Sequence, residues 1–184
     1  TDQASTFRAG GDDNRLQTGL TSISSDVMIS FVFDFTNNEQ QGGFNTLTLI
    51  GGDGGANEGS SFVFIIRDNS VTRNAYAYVV NSAVATDALI TETVALGRNI
   101  GVIKYDSATA TLRLIFNGVT QTASNADGAL WSAAGDYQLL NSRTNTRAFP
   151  EPVHEIRIKN SGSSISDATQ DALYADLLLK FPNS

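Results

Sequence analysis

One stretch constrains this chain more than any other: Val27-Met28-Ile29-Ser30-Phe31-Val32-Phe33-Asp34-Phe35. Every second residue is large and apolar. A period of two is the spacing of a β-strand, whose side chains alternate between two faces. Val27, Ile29, Phe31, Phe33 and Phe35 therefore share one face. A long strand with one aromatic-rich face belongs in the middle of a β-sandwich. The opposite face, with Ser30 and Asp34 beside Met28 and Val32, is expected to be only partly wet.

More strand-like runs follow at short spacing. Phe44 to Ile50 alternates, and Ser61 to Arg67 is almost continuously apolar, as expected of a strand covered on both sides. Val71 to Val80 sets Thr72, Asn74, Tyr76 and Tyr78 opposite Val71, Arg73, Ala75 and Ala77. Asn99 to Tyr105 and Thr109 to Phe116 form a pair around the short connection Asp106-Ser107-Ala108. Asn117-Gly118 is the sharpest turn signature, because a type I′ hairpin turn needs positive φ at both central residues. It leads into Val119-Gln121-Ala123. Tyr137 to Leu140 and Val153 to Ile158 read as further strands, and Thr6 to Ala9 and Arg15 to Thr18 as short edge strands.

The period changes at the tail. Ser166 is placed to cap a helix running from Asp167 to Leu179. Asp167 and Asp171 suit the positive end of the helix dipole and Lys180 the negative end. Leu173 and Leu177 stack at i,i+4 with Ala172, Ala175 and Leu179 beside them. A helix this short is marginal alone and must dock on the sandwich. These patterns predict an all-β fold, a two-sheet antiparallel jelly-roll sandwich with one short C-terminal helix, spanning 1–184 as a single domain.

Composition narrows the function. Of 184 residues, 41% are hydrophobic and 17% charged, enough for a core and too little charge for a disordered chain. Net charge is −7, and the cations are scattered singly, which argues against nucleic acid as a partner. Cysteine is absent, so disulfides and thiolate metal sites are excluded. No apolar run approaches the ~20 residues of a membrane-spanning helix. The start, Thr1-Asp2-Gln3, does not read as a signal peptide; either a leader has been removed or an initiator Met has been lost.

Two parts of the sequence together resemble the concanavalin A-like jelly rolls, and within them the laminin-G-like group found in lectins, carbohydrate-binding modules and phage virion proteins. The first is the alternating aromatic strand followed by Arg98-Asn99-Ile100-Gly101-Val102-Ile103-Lys104-Tyr105-Asp106 and then Thr111-Leu112-Arg113-Leu114-Ile115-Phe116-Asn117-Gly118. The second is the close: Val153 to Asn160, then Ile165-Ser166-Asp167, then Ala172-Leu173-Tyr174. The resemblance covers the chain from about Val27 onward and rests on packing motifs, so it speaks to fold before function. It departs from the group in lacking the terminal disulfide many members carry and any obvious paired-carboxylate calcium site.

Catalytic sets known on this fold do not assemble. No Glu-x-Asp-x-x-Glu run is present, and Glu151 and Glu155 lack a third carboxylate. The one histidine, His154, has neither a Gln-x-His motif nor a Gly-x-Ser-x-Gly elbow to work with. The chain is therefore expected not to be an enzyme. Asp12 and Asp13, with Asp53 and Glu58, lie in oxygen-rich, glycine-permissive loops. Calcium wants six or more oxygens, so these loops make a site only if they meet in space; acidic turns are the plainer reading. No other cofactor is expected. Sugar binding would use aromatic rings stacked on pyranose faces with polar neighbours. Tyr76, Tyr78, Asn74, Tyr105 and Trp131 are the candidates, against the alternative that the rings fill the sandwich.

The leading expectation is a non-catalytic recognition module for glycans or another surface ligand, working outside the cell. The alternative is a decoration or tail-associated protein on a phage virion surface, held by other virion proteins or by self-association.

Overall fold

A computed structural model describes residues 16–17, 26–36, 46–51, 62–68, 73–79, 88–106, 108–109, 111–124, 138–139, 152–160 and 164–182. Eleven strands and one helix run through them: β1 Leu16–Gln17, β2 Val27–Phe35, β3 Thr46–Gly51, β4 Phe62–Asp68, β5 Arg73–Val79, β6 Ala88–Thr93, β7 Gly97–Asp106, β8 Thr111–Phe116, β9 Val119–Ser124, β10 Gln138–Leu139, β11 Val153–Asn160 and α1 Asp167–Lys180. They form two antiparallel sheets, β1-β10-β3-β4-β5-β6 and β11-β2-β7-β8-β9. β6 was not anticipated; Thr91, Glu92 and Thr93 interrupt the apolar pattern by which strands are read.

The alternation of β2 does what it predicts on one face. Val27, Ile29, Phe31, Phe33 and Phe35 are buried with Ile103, Leu112, Leu114 and Phe116 against Ala75 and Ala77 of the facing sheet. Phe31, Phe33 and Phe116 form a ring triangle with centroids 6.2 to 6.4 Å apart. Gly101 pairs with Phe31 and Phe116 in register, and a Cβ there would stand 2.3 Å from the Phe31 ring. The ring occupies the space a side chain would need. Each large side chain buried here contributes about 1.5–3 kcal/mol.

The other face of β2 is not partly wet. Met28 and Val32, with Ile100, Val102 and Ile115, form a second apolar layer covered by Ile165, Tyr174 and Leu177. Ser30 lies fully buried between them. The helix that covers this layer begins where expected: the Ser166 hydroxyl accepts from the Thr169 N–H at 3.2 Å. Leu177 is buried and Leu173 packs beside it, but Gln170 and Tyr174 share that face, Ala172 and Ala175 are exposed, and Leu179 is 83% exposed.

Hydrogen bonds explain why a glutamine takes a place on that face. The Gln170 amide donates to the Val102 carbonyl at 2.8 Å and the Arg113 carbonyl at 3.0 Å, and its oxygen accepts from Arg113 Nη1 at 2.8 Å. A polar side chain is thereby satisfied while fully buried. Lys104, also buried, donates to the Ile165 carbonyl at 3.0 Å and pairs with Asp167. Asp26 accepts from the Ile165 N–H at 2.9 Å.

The Asn117-Gly118 turn has the predicted conformation, φ 49° and 86°. Asn117 also accepts from the Ile100 N–H at 3.0 Å and donates to Asn99 Oδ1 at 2.8 Å, tying the turn to β7. Burial raises the pKa of the Tyr174 phenol, and its hydrogen bond with the Gly118 backbone pulls the other way without cancelling that rise.

Candidate ligand-binding surface

The five-stranded sheet is covered on one face by the sandwich core and on the other by α1. The six-stranded sheet has one face in the core, through Ala75 and Ala77 of β5. Alternation then assigns Asn74, Tyr76 and Tyr78 to its outer face. Register carries each of them across neighbouring strands. Thr46, Arg67, Asn74 and Thr93 form one row. Thr48, Ile65, Tyr76 and Thr91 form the next. Val63, Tyr78 and Leu89 form a third. Asn74 is half-buried. Farther along, Gln17 and Gln138 pair beside Gly51. Adjacent strands lie about 4.8 Å apart and successive rows about 7 Å apart, so the three rows make a surface of about 14 by 14 Å.

These rows join three of the residues singled out in the sequence and part them from the fourth. Tyr105 sits in register with Val27 and Leu112, is 2% exposed, and belongs to the inner apolar cluster. Its ring is sealed between the sheets and offers no face for stacking, which corrects the expectation that it binds ligand. Trp131, Asp12, Asp13, Asp53 and Glu58 lie outside the described residues. Among the described residues no group of three or more His, Asp or Glu side chains is placed to hold a metal.

A second polar grouping lies on the outer side of the five-stranded sheet, at the C-terminal end of the helix. Asp34 Oδ1 accepts from Arg98 Nε at 2.5 Å, and His154 Nε2 lies 2.7 Å from Asp34 Oδ2. Asp34 and Arg98 face each other in register across β2 and β7. His154 arrives through a β-bulge between Val153 and Glu155, with Val153 buried toward the core. Bulges re-aim side chains in this way, and no period-2 reading anticipates it. Phe181 closes the group, 6.1 Å from the His154 ring and 5.8 Å from the Arg98 guanidinium. Lys180 pairs with Glu155, which also meets Arg157 at 2.8 Å.

Partial burial works against the Asp34 carboxylate, but hydrogen bonds and charge from Arg98 and His154 outweigh it and hold its pKa below the usual range. A carboxylate stabilised as an anion by a guanidinium is a poor proton acceptor. This grouping fastens the helix end to β2 and β7. Sequence reasoning did not single out Asp34 or Arg98, because their partnership depends on strand register.

No protein-family model and no curated protein matches the chain in sequence. Solved structures do match it in shape. The CBM40 module of the Ruminococcus gnavus IT-sialidase, bound to α2,3-sialyllactose, superposes with a TM-score of 0.63 at 14% identity, covering 94% of this chain and 96% of that one. A heptameric SAP-like pentraxin from Limulus polyphemus gives 0.59 at 12% identity, covering 86% and 76%. Domains LG4-5 of the mouse laminin α1 chain give 0.56 at 15% identity, covering 85% and 41%. At such identities the likeness is one of fold. Two antiparallel sheets, a phenylalanine core between them and a terminal helix over the outer layer give this chain a concanavalin A-like jelly-roll fold.

Proposed function

We propose that the protein is a non-catalytic recognition module that binds a glycan across the outer face of its six-stranded sheet. One observation carries this reading: the register brings Asn74, Tyr76 and Tyr78 onto a face shared with threonines of β3 and β6. Hydroxyl and amide groups suit the hydroxyls of a sugar, and tyrosine rings suit its C–H face. The similar CBM40 structure holds α2,3-sialyllactose, which supports a glycan as the ligand class. Trp131 is proposed as a further stacking residue. Asp12, Asp13, Asp53 and Glu58 are proposed to hold calcium only if their loops converge. Extracellular surfaces, where glycans are displayed, are the proposed place of action.

The test is a glycan array probed with the whole chain, once with calcium and once with chelator. The proposal expects reproducible binding to a restricted set of sugars. A blank array under both conditions would remove it. Binding that survives chelation would dismiss the calcium role and leave the sheet face as the site.

A further inference from the structure

We infer that the protein pairs with a second copy of itself along β9, the open edge of its five-stranded sheet, in an antiparallel register centred on Thr122. β9 ends the order β11-β2-β7-β8-β9, and among the described residues no strand pairs with it on the side away from β8. The hairpin fixes which backbone groups face that side. Phe116 and Val119 flank the two-residue turn and exchange hydrogen bonds, and such pairs alternate along the ladder. Val119, Gln121 and Ala123 therefore direct their N–H and C=O groups to β8, while Thr120, Thr122 and Ser124 aim theirs outward. Those three residues are exposed. The side chains between them turn to the molecule's interior: Gln121 donates to Glu92 of β6, and Ala123 packs on the core.

The two edges of this sheet are built differently. An open strand edge recruits further strands unless charges, proline or a bulge block it. β11 has such blocks, with Glu155, Arg157 and Lys159 along the strand and a bulge after Val153. β9 reads Val-Thr-Gln-Thr-Ala-Ser, without a charge or a proline, and its register with β8 runs unbroken. A second copy suits this edge because the segment matches itself. Only registers that set outward-facing residues against one another form a ladder. With Thr122 opposite its own counterpart, Thr120 of each copy meets Ser124 of the other, and about six backbone hydrogen bonds form. Moving the centre to Gln121 or Ala123 leaves about four. Hydroxyl residues then face hydroxyl residues, a favourable cross-strand pairing, and no like charges meet although the chain as a whole carries −7. The twofold axis stands perpendicular to the sheet. The two five-stranded sheets join into one, and both six-stranded sheets face the same way.

Sedimentation velocity of the whole chain from about 1 to 500 µM is the test. A strand pair this short buries little area, so a dissociation constant of about 10–100 µM is expected. Thr122→Lys sets two like charges face to face and should weaken association about tenfold or more. Thr122→Pro removes an outward N–H that the β8 ladder does not use, and should weaken it similarly. Circular dichroism checks that both variants fold. The chain has no cysteine, so Thr122→Cys introduces a single thiol. Residues paired across this edge stand about 5.5 Å apart, within disulfide reach. Mild oxidation should therefore give a covalent dimer, whereas Ala172→Cys, exposed on the helix, should stay largely uncrosslinked. A chain that is monomeric throughout the range overturns the pairing. So does a dimer that the folded Thr122→Lys and Thr122→Pro variants leave intact, or one that Thr122→Cys cross-links no faster than Ala172→Cys, because another surface would then hold it. None of these results bears on glycan binding, which the array decides separately.

Discussion

Gly101 shows how narrowly single residues set this core. Phe31 and Phe116 flank it in register, and the Phe31 ring fills the place of a side chain. Gly101→Ala is expected to cost about 1–3 kcal/mol through overpacking, read as a drop in thermal midpoint with no change in circular dichroism at low temperature. Asp34 makes a different prediction. Its folded pKa lies below the unfolded value because Arg98 and His154 stabilise the anion against the cost of partial burial. Asp167 is lowered likewise by its hydrogen bond to Lys104 and by Arg113, although it is largely exposed and its share is correspondingly screened. Groups of this kind contribute stability fully above the unfolded carboxylate value, about pH 4, and lose it as pH falls through their lower folded values. Thermal midpoints measured from pH 6 down to pH 2 should therefore fall most steeply below about pH 4. Asp34→Asn should lower the midpoint at pH 6 and flatten that fall; an unchanged slope would show that the clamp adds nothing.

Elements differ in how openly the sequence announces them. β2 is legible because five apolar residues at period two admit one face only. The hairpin at Asn117-Gly118 is legible because few residue pairs accept two positive φ angles. The helix is legible in extent, from its cap and its charges, and only in part in orientation. Leu173 and Leu177 point to one buried face, but the sheet beneath offers the Val102 and Arg113 carbonyls and the Arg113 guanidinium, and Gln170 turns in to meet them. Only the tertiary partner carries that information. Tyr105 and Tyr76 illustrate the same limit at the candidate site. Both lie on alternating strands, and it is pairing with Val27 and Leu112 that sends Tyr105 into the core. Two substitutions test the helix orientation. Gln170→Ala should cost about 1–3 kcal/mol by stranding buried partners, whereas Leu179→Lys should stay within about 0.5 kcal/mol of the parent. Denaturant melts of the two, compared at equal slope, would reveal a reversed ranking if Leu179 were the docked residue.

At the scale of the whole molecule the two sheets have separate tasks. The five-stranded sheet is the scaffold, buried by phenylalanine rings on one face and by the helix on the other. The six-stranded sheet gives one face to that core, and its outer rows carry the tyrosines, the asparagine and the threonines on which recognition is proposed. Replacing Tyr76 and Tyr78 together by alanine should weaken glycan binding by about tenfold or more while leaving the clamp at Asp34 and the docked helix untouched. The most direct measurement is amide chemical-shift mapping of the isotope-labelled chain titrated with a sugar that scores on the array. Shifts concentrated at Asn74, Tyr76, Tyr78 and their β4 and β6 row neighbours are predicted. Shifts confined to His154, Arg98 and Phe181, or to the exposed side of the helix, would place the ligand on the wrong sheet and contradict the account.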